Sequence, residues 1–229
     1  FPKNNNSIVS GNSSYTSQRI EEVYGIKCDF IHPCVDREEY TDNTNQTTNP
    51  YLQEKKSEYV VTIGTANWAK GSMEAISMLS GTNISLVHVG GGSATEIKTL
   101  QEHALRKKVK LWISPRLSSQ QLSILMKDSL AIISMAHKEP FGLTPIEAFS
   151  IGTPAIFVND GGFRDSIIDG ECGRLLPRHD FAKWHEALNE CRDKKLREKW
   201  TSAGRKRLTQ LKLSPEEQAE KIYKLFQSQ

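Results

Sequence analysis

The sequence predicts a doubly wound α/β domain with a parallel sheet over about residues 58–190, followed by helices. Two observations carry that expectation. Short, nearly continuous apolar runs recur along this stretch, each closed by glycine or a polar loop. Segments with helical spacing lie between them, so the strands are joined by helical crossovers and run parallel, buried on both faces.

The elements follow in order. Ser13 to Tyr24 has helical spacing, with Tyr15, Ile20, Val23 and Tyr24 on one side and Gly25 as the stop. Ile8-Val9 is a short apolar run, and Phe30-Ile31 is a short strand ending at Pro33. Residues 41–50 contain no apolar side chain, and with their flanks they read as a mobile linker or insertion from about 36 to 57. The first sheet strand is Tyr59-Val60-Val61-Thr62-Ile63, bounded by Gly64, with a helix from Lys70 to Leu79. Further strands are expected at 84–89, 109–113, 130–134 and 154–158, and helices at 94–107, 120–127 and from Thr144. After Gly173-Arg174-Leu175-Leu176 the chain turns helical, at about 180–192, 194–211 and 215–226.

Composition bounds the function classes. The 229 residues are 37% hydrophobic and 25% charged, which excludes wholesale disorder. No stretch approaches the roughly 18 consecutive apolar residues of a membrane helix. A formal net charge of +3 is too small to argue for nucleic acid. Cys28, Cys34, Cys172 and Cys191 form no C-x-x-C pair, so reduced thiols in a cytoplasmic chain are expected. The chain opens Phe1-Pro2-Lys3-Asn4, with no initiator Met and no signal core, and reads as cut from something longer.

Ligands of such sheets bind beyond the carboxyl ends of the strands, so the informative residues should follow each strand. After the first comes Gly64-Thr65-Ala66-Asn67-Trp68-Ala69-Lys70-Gly71. A lysine at a helix start suits an anion, although a solvated surface lysine has the same appearance. Gly90-Gly91-Gly92 precedes a Ser93-x-x-Glu96 capping box, and an ordinary turn into the helix accounts for it. The densest stretch is Glu139-Pro140-Phe141-Gly142-Leu143-Thr144-Pro145-Ile146-Glu147. Thr144 as N-cap and Glu147 at N3 would make a second capping box, which leaves Glu139 unexplained. A carboxylate that reads hydroxyls, beside amides that read an anion, suits a ligand with both sugar and phosphate.

At this point a resemblance becomes specific. Glu139 and Glu147 within EPFGLTPIEAFSIGTPAI resemble the E-x7-E signature of retaining GT-B glycosyltransferases, the glycogen-synthase and sucrose-synthase-like group (glycosyltransferase family 4). IGTANWAKG resembles the family's phosphate-binding segment, LVHVGGG its second strand and glycine turn, and NDGGFRDSIIDGECGRLL its GG-x-x-E/D segment and following strand. SIVSGNSSYTSQRIEEVYGIKCDFIHPCVD looks like the crossing between the two domains of such enzymes.

The resemblance implies a Rossmann-like doubly wound sheet with C-terminal helices, the C-terminal half of a GT-B fold. Residues 1–57 would be the tail of the N-terminal domain, the crossing and the linker, with Ile8-Val9 an orphan strand; residues 58–229 would bind the donor. It implies that Lys70 holds the diphosphate of a UDP-, GDP- or ADP-linked sugar. Glu139 would hold the transferred hexose and Glu147 the ribose. The amides of Phe141, Gly142, Leu143 and Thr144 would meet sugar and phosphates. Gly64 and Thr65 would line the first loop, and Pro115 and Arg116 would flank the base. Neither cofactor nor metal is implied. The missing N-terminal domain becomes a partner, and the chain alone should turn over little. One departure stands out: Thr65 occupies the place of a usual arginine, with Arg116 and Arg164 as candidate substitutes. That motivates a second reading, a non-catalytic module of the same fold.

The basic segment 192–199 with Arg205-Lys206-Arg207 could meet a membrane surface or lipid-linked acceptor, although interspersed acids favour a solvated helix face. Nucleic acid is not expected, since no recognition motif or interleaved aromatics accompany the charge.

Overall fold

The computed structural model describes residues 7–35, 48–54 and 57–227. Among them, six parallel strands form one sheet in the order β3-β2-β1-β4-β5-β6. These are β1 (Tyr59–Ile63), β2 (Ser85–Val89), β3 (Leu111–Ile113), β4 (Ile132–Ser134), β5 (Ala155–Val158) and β6 (Arg174–Leu176). The helices are α1 (Ser14–Tyr24), α2 (Pro50–Glu54), α3 (Ser72–Leu79), α4 (Ala94–Lys107), α5 (Ser119–Lys127), α6 (Thr144–Ile151), α7 (Phe163–Ser166), α8 (Phe181–Glu190), α9 (Lys194–Leu211) and α10 (Pro215–Gln227).

The central strands are apolar because both their faces are covered. Val61 lies between Val87 of β2 and Ile132 of β4, and Ile133 pairs with Ile156. All five of these side chains are fully buried. The chain winds outward from β1 to β3, then returns along α5 to β4 on the other side of β1. Right-handed crossovers then place α3 and α4 on one face and α5 and α6 on the other. Helix α3 packs against α4, α5 against α6, and α9 lies across α6. Winding reverses between β1 and β4, and ligands of such sheets gather beyond the carboxyl ends of the strands at that point.

The α/β expectation holds, with corrections. Ile8-Val9 forms no strand, and Phe30 makes only a single bridge, to Gly11. The expected linker lies outside the described residues over 36–47, but its far end is packed structure. Pro50–Glu54 is helical, and Tyr51 is buried with its ring 4.5 Å from that of Tyr59 and 5.5 Å from that of Trp112. Its neighbour Asn49 donates to the Tyr59 hydroxyl (2.8 Å) and to Asp128 (2.9 Å). The helix expected from Lys70 splits into a 3-10 turn at Trp68–Lys70 and α3, because Gly71 between them is left-handed. The strand beyond the five found from residue spacing, β6, is the one that the family resemblance implied. All four cysteines are free thiols. No helix among the described residues is long and apolar enough to cross a membrane.

Candidate functional site

The candidate site is built from the loops after β1 and β4, which meet where the His137 amide donates to the Ala69 carbonyl (2.7 Å). Gly64 and Gly90 bring the first two loops into backbone contact. The Gly64 amide donates to the Val89 carbonyl (2.8 Å), and a Cβ on Gly90 would run into the Gly64 carbonyl. The glycine triplet thus serves backbone approach and the turn into α4, which Ser93 and Glu96 cap reciprocally. Beyond Gly64 the 3-10 turn presents Lys70, whose aliphatic stem lies over the glycine.

Glu139 is fixed from the other side. Lys138 is left-handed (φ 50°), and its amide donates to Asp160 (3.2 Å). The Gly162 amide donates to the Glu139 carbonyl (2.8 Å). Arg178, beyond β6, clamps the loop by donating to Asp160 (2.9 Å) and to the carbonyls of Ala136 (3.0 Å) and Met135. Burial alone would raise the Asp160 carboxyl, but the Lys138 amide and Arg178 outweigh it and hold the group below its usual range.

These supports bring two sequence-predicted residues together. Lys70 Nζ donates to Glu139 Oε2 at 2.8 Å, with the side chains 35% and 20% exposed. The pair joins the loops after β1 and β4, across the point where winding reverses.

Beside it begins α6. Gly142 is left-handed (φ 83°), and a Cβ there would strike the Phe163 ring. Among the described residues nothing accepts from the amides of Phe141, Gly142, Leu143 or Thr144. A helix N-terminus with open amides carries partial positive charge. The expected Thr144 capping box is absent: Leu143 is the N-cap and makes no side-chain cap bond. Glu147 therefore lies in the first turn without a capping role, and its Oε2 is shielded from solvent.

The other expected residues scatter. Pro115 and Arg116 are exposed past β3, two strands from β1 at the sheet edge. Thr65 is exposed, and its hydroxyl accepts from Asn67 Nδ2 (2.8 Å). Arg164 donates to Asn159 through two bonds, at 2.7 and 2.8 Å.

Sequence reasoning missed three features. Trp68 is 73% exposed, with its ring 5.3 Å from that of His137, whose Nε2 lies 2.7 Å from Glu74. Arg178 had no signal in the sequence, because its partners Asp160, Ala136 and Met135 lie 18, 42 and 43 positions upstream. The third is the docking of α1: Ser13 donates to the Pro140 carbonyl, and Ser14 donates through its amide (2.7 Å) and hydroxyl to Asp165. His32 Nε2 lies 3.2 Å from Asp165, and its ring centre 4.8 Å from that of Phe141. Burial would raise Asp165, but His32 and Ser14 pull it below the usual carboxylate range.

The fold and site define a class, a doubly wound α/β domain with open amides at a helix start and a lysine–carboxylate pair at its switch point. Comparison with known proteins is more specific. Residues 44–207 match the model of the family described as glycosyl transferases group 1, and the chain belongs to that family. A curated relative, the D-inositol 3-phosphate glycosyltransferase of Mycolicibacterium smegmatis, is 23% identical over 177 residues, 73% of this chain and 40% of the relative. The chain thus spans less than half the length of that protein. Among solved structures, Anabaena HepE in complex with UDP and glucose superposes with a TM-score of 0.82 at 17% identity, covering 97% of this chain and 64% of that one. Sucrose-phosphate synthase from Thermosynechococcus elongatus gives 0.78 at 18% identity, over 96% and 57%.

Proposed function

We propose that this chain is the donor-binding, C-terminal half of a retaining, metal-independent GT-B glycosyltransferase of family 4, moving a hexose from a nucleoside diphosphate sugar to an acceptor. The observation that carries the reading is the Lys70–Glu139 pair at 2.8 Å beside the unengaged amides that open α6.

In this reading Lys70 and the amides of Phe141, Gly142, Leu143 and Thr144 hold the diphosphate and sugar. Glu139 accepts from hexose hydroxyls, and Glu147 faces the ribose. Gly64 and Thr65 line the diphosphate, and Pro115 and Arg116 flank the base. Breaking the anomeric C–O bond leaves negative charge on the departing nucleoside diphosphate. A fixed ammonium and a helix end are already aimed at that charge, as donors are in an oxyanion hole. The cation is supplied by the protein, so no resident cofactor or metal is required. The two carboxylates are not a glycosidase acid–base pair, because Glu147 addresses the ribose.

UDP is the favoured nucleotide, since the HepE complex holds UDP and glucose. D-Inositol 3-phosphate is the first acceptor to try, given the names of the curated relatives. In this reading an N-terminal domain supplies acceptor contacts; the chain spans 40% of the Mycolicibacterium smegmatis relative and 64% of HepE. The exposed Ile222, Tyr223 and Phe226 of α10 supply an apolar face for that domain in this reading. A cytoplasmic location, with contact to a membrane surface through α9, belongs to the same reading.

Calorimetry with UDP, GDP, ADP and their sugar conjugates tests it. We expect binding that Lys70→Ala and Glu147→Ala both weaken, and little turnover until the N-terminal half is added. Binding indifferent to Lys70 would contradict the assignment. Binding without transfer in the two-domain protein would favour the non-catalytic module, for which the Thr65 substitution is the motive.

A further inference from the structure

We infer that Glu139 makes the site selective against the bare nucleoside diphosphate, because it occupies Lys70 until a sugar takes its place. The inference rests on the donor-binding reading above and goes beyond it.

The argument begins with how the pair is held. Neither partner needs the other to keep its position. Lys70 projects from a 3-10 turn closed by left-handed Gly71, with its stem lying over Gly64. Glu139 projects from a loop pinned by the Gly162 amide, by Asp160 and by Arg178. The two loops are joined by backbone, the His137 amide donating to the Ala69 carbonyl (2.7 Å), so they hold opposite charges 2.8 Å apart in the free protein without relying on the ion pair. Glu139 is the one ion-pair partner of Lys70 among the described residues. The pair is partly exposed, so a ligand can reach it, yet it is shielded enough for the attraction to exceed that of a fully solvated pair.

A diphosphate that arrives alone must draw Lys70 away from Glu139. It then leaves a carboxylate beside its own negative charge, with only water to satisfy it. A diphosphate carrying a hexose brings hydroxyl donors. They replace the ammonium at Glu139 as the phosphate oxygens replace the carboxylate at Lys70, so every charged group ends with a partner. Glu139 therefore acts twice, as an acceptor toward donor sugar and as a competitor toward spent nucleotide. Selectivity built from a penalty on the wrong ligand is as effective as one built from contacts to the right one. The consequence is that the nucleoside diphosphate is released once the sugar has left.

The test is calorimetry of the full chain with UDP, UDP-glucose and inorganic pyrophosphate, using wild type, Glu139→Gln, Glu139→Ala and Lys70→Met. Glu139→Gln keeps shape and removes charge, and Glu139→Ala removes the group altogether. We expect both to bind UDP and pyrophosphate about tenfold more tightly than wild type, the scale of one relieved charge contact, while UDP-glucose binding does not tighten. Lys70→Met should weaken all three ligands. If Lys70→Met weakens binding but neither Glu139 variant tightens UDP or pyrophosphate, the inference is overturned and the donor-binding reading stands. If wild type binds none of the ligands, or Lys70→Met changes none, the donor-binding reading itself falls.

Discussion

The two ends of the sheet use similar side chains to different ends. At the amino end, Arg197 of α9 donates to the carbonyls of Leu130 (2.8 Å), Ser129 (3.0 Å) and Lys127 (3.4 Å). Burial pushes the Arg197 guanidinium below its ordinary value, and its acceptors are backbone groups that no ligand can displace. Nearby, Asn49 and the Leu125 carbonyl together saturate the Tyr59 hydroxyl, and burial raises that phenol well above its usual value. At the carboxyl end, Lys70 has one carboxylate as partner, and that carboxylate can itself be claimed. Around it lie open amides and an indole that is 73% exposed. A cation wedged among carbonyls holds the fold together; a cation paired with a replaceable anion is available for chemistry.

The largest expected effect separates these two cations. Lys70→Met should cost donor binding roughly 10- to 100-fold, the value of a charge-assisted contact to phosphate, with little change in thermal midpoint. Arg197→Met should do the reverse. It strands carbonyls beneath α5, so we expect a loss of about 2–3 kcal/mol in denaturant unfolding and unchanged donor affinity. If Arg197→Met weakened binding as much as Lys70→Met, the contrast between the two ends would collapse.

Next in size is Gly142→Ala, which forces a Cβ toward the Phe163 ring at φ 83°. About 1–3 kcal/mol of stability should go, along with binding, because the amides opening α6 are displaced. The same substitution at Gly81, left-handed but with open space around it, should leave binding intact.

A smaller effect concerns the docking of α1. The folded-state pKa of Asp165 lies below its unfolded value, so its contribution is present above the ordinary carboxylate value of about 3.9 and is lost as pH falls toward the folded value. Amide protection in α1, taken relative to the intrinsic exchange rate at each pH, should fall on acidification through that window. Asp165→Asn should flatten the response, and an unchanged profile would show that Asp165 does not hold the helix.

The smallest perturbation is thiol labelling. Cys34 is exposed and should react first, whereas burial pushes Cys191 up to about 12 and raises Cys172 as well. Those two should stay silent until the chain unfolds. Early labelling of Cys191 would mean that the α8–α9 junction opens in the native state.

How much of this was legible in the sequence depends on the range of the interaction. From Tyr59 onward the strands announce themselves, because a strand buried on both faces must be continuously apolar. The meeting of Lys70 with Glu139 was also accessible: both follow strands, and ligands of doubly wound sheets gather beyond the strand ends. Other features rest on distant partners that no local pattern encodes. Tyr51 sits in a polar run and is buried only because Tyr59 and Trp112 come to it. Thr144 has the chemistry of an N-cap, but α6 begins from Leu143 and takes the threonine as its first residue. β6 begins with Arg174, which pairs with Asp169, and offers only Leu175 and Leu176 as apolar residues, so its apolar signal was too short to read. The His32–Asp165 contact spans 133 positions.

The most direct measurement is a crystal structure of the chain soaked with UDP-glucose. The account predicts that the Lys70–Glu139 pair has opened, with a diphosphate oxygen on Lys70 Nζ and hexose hydroxyls on Glu139. A nucleotide seated elsewhere, with Lys70 and Glu139 still joined, would contradict it.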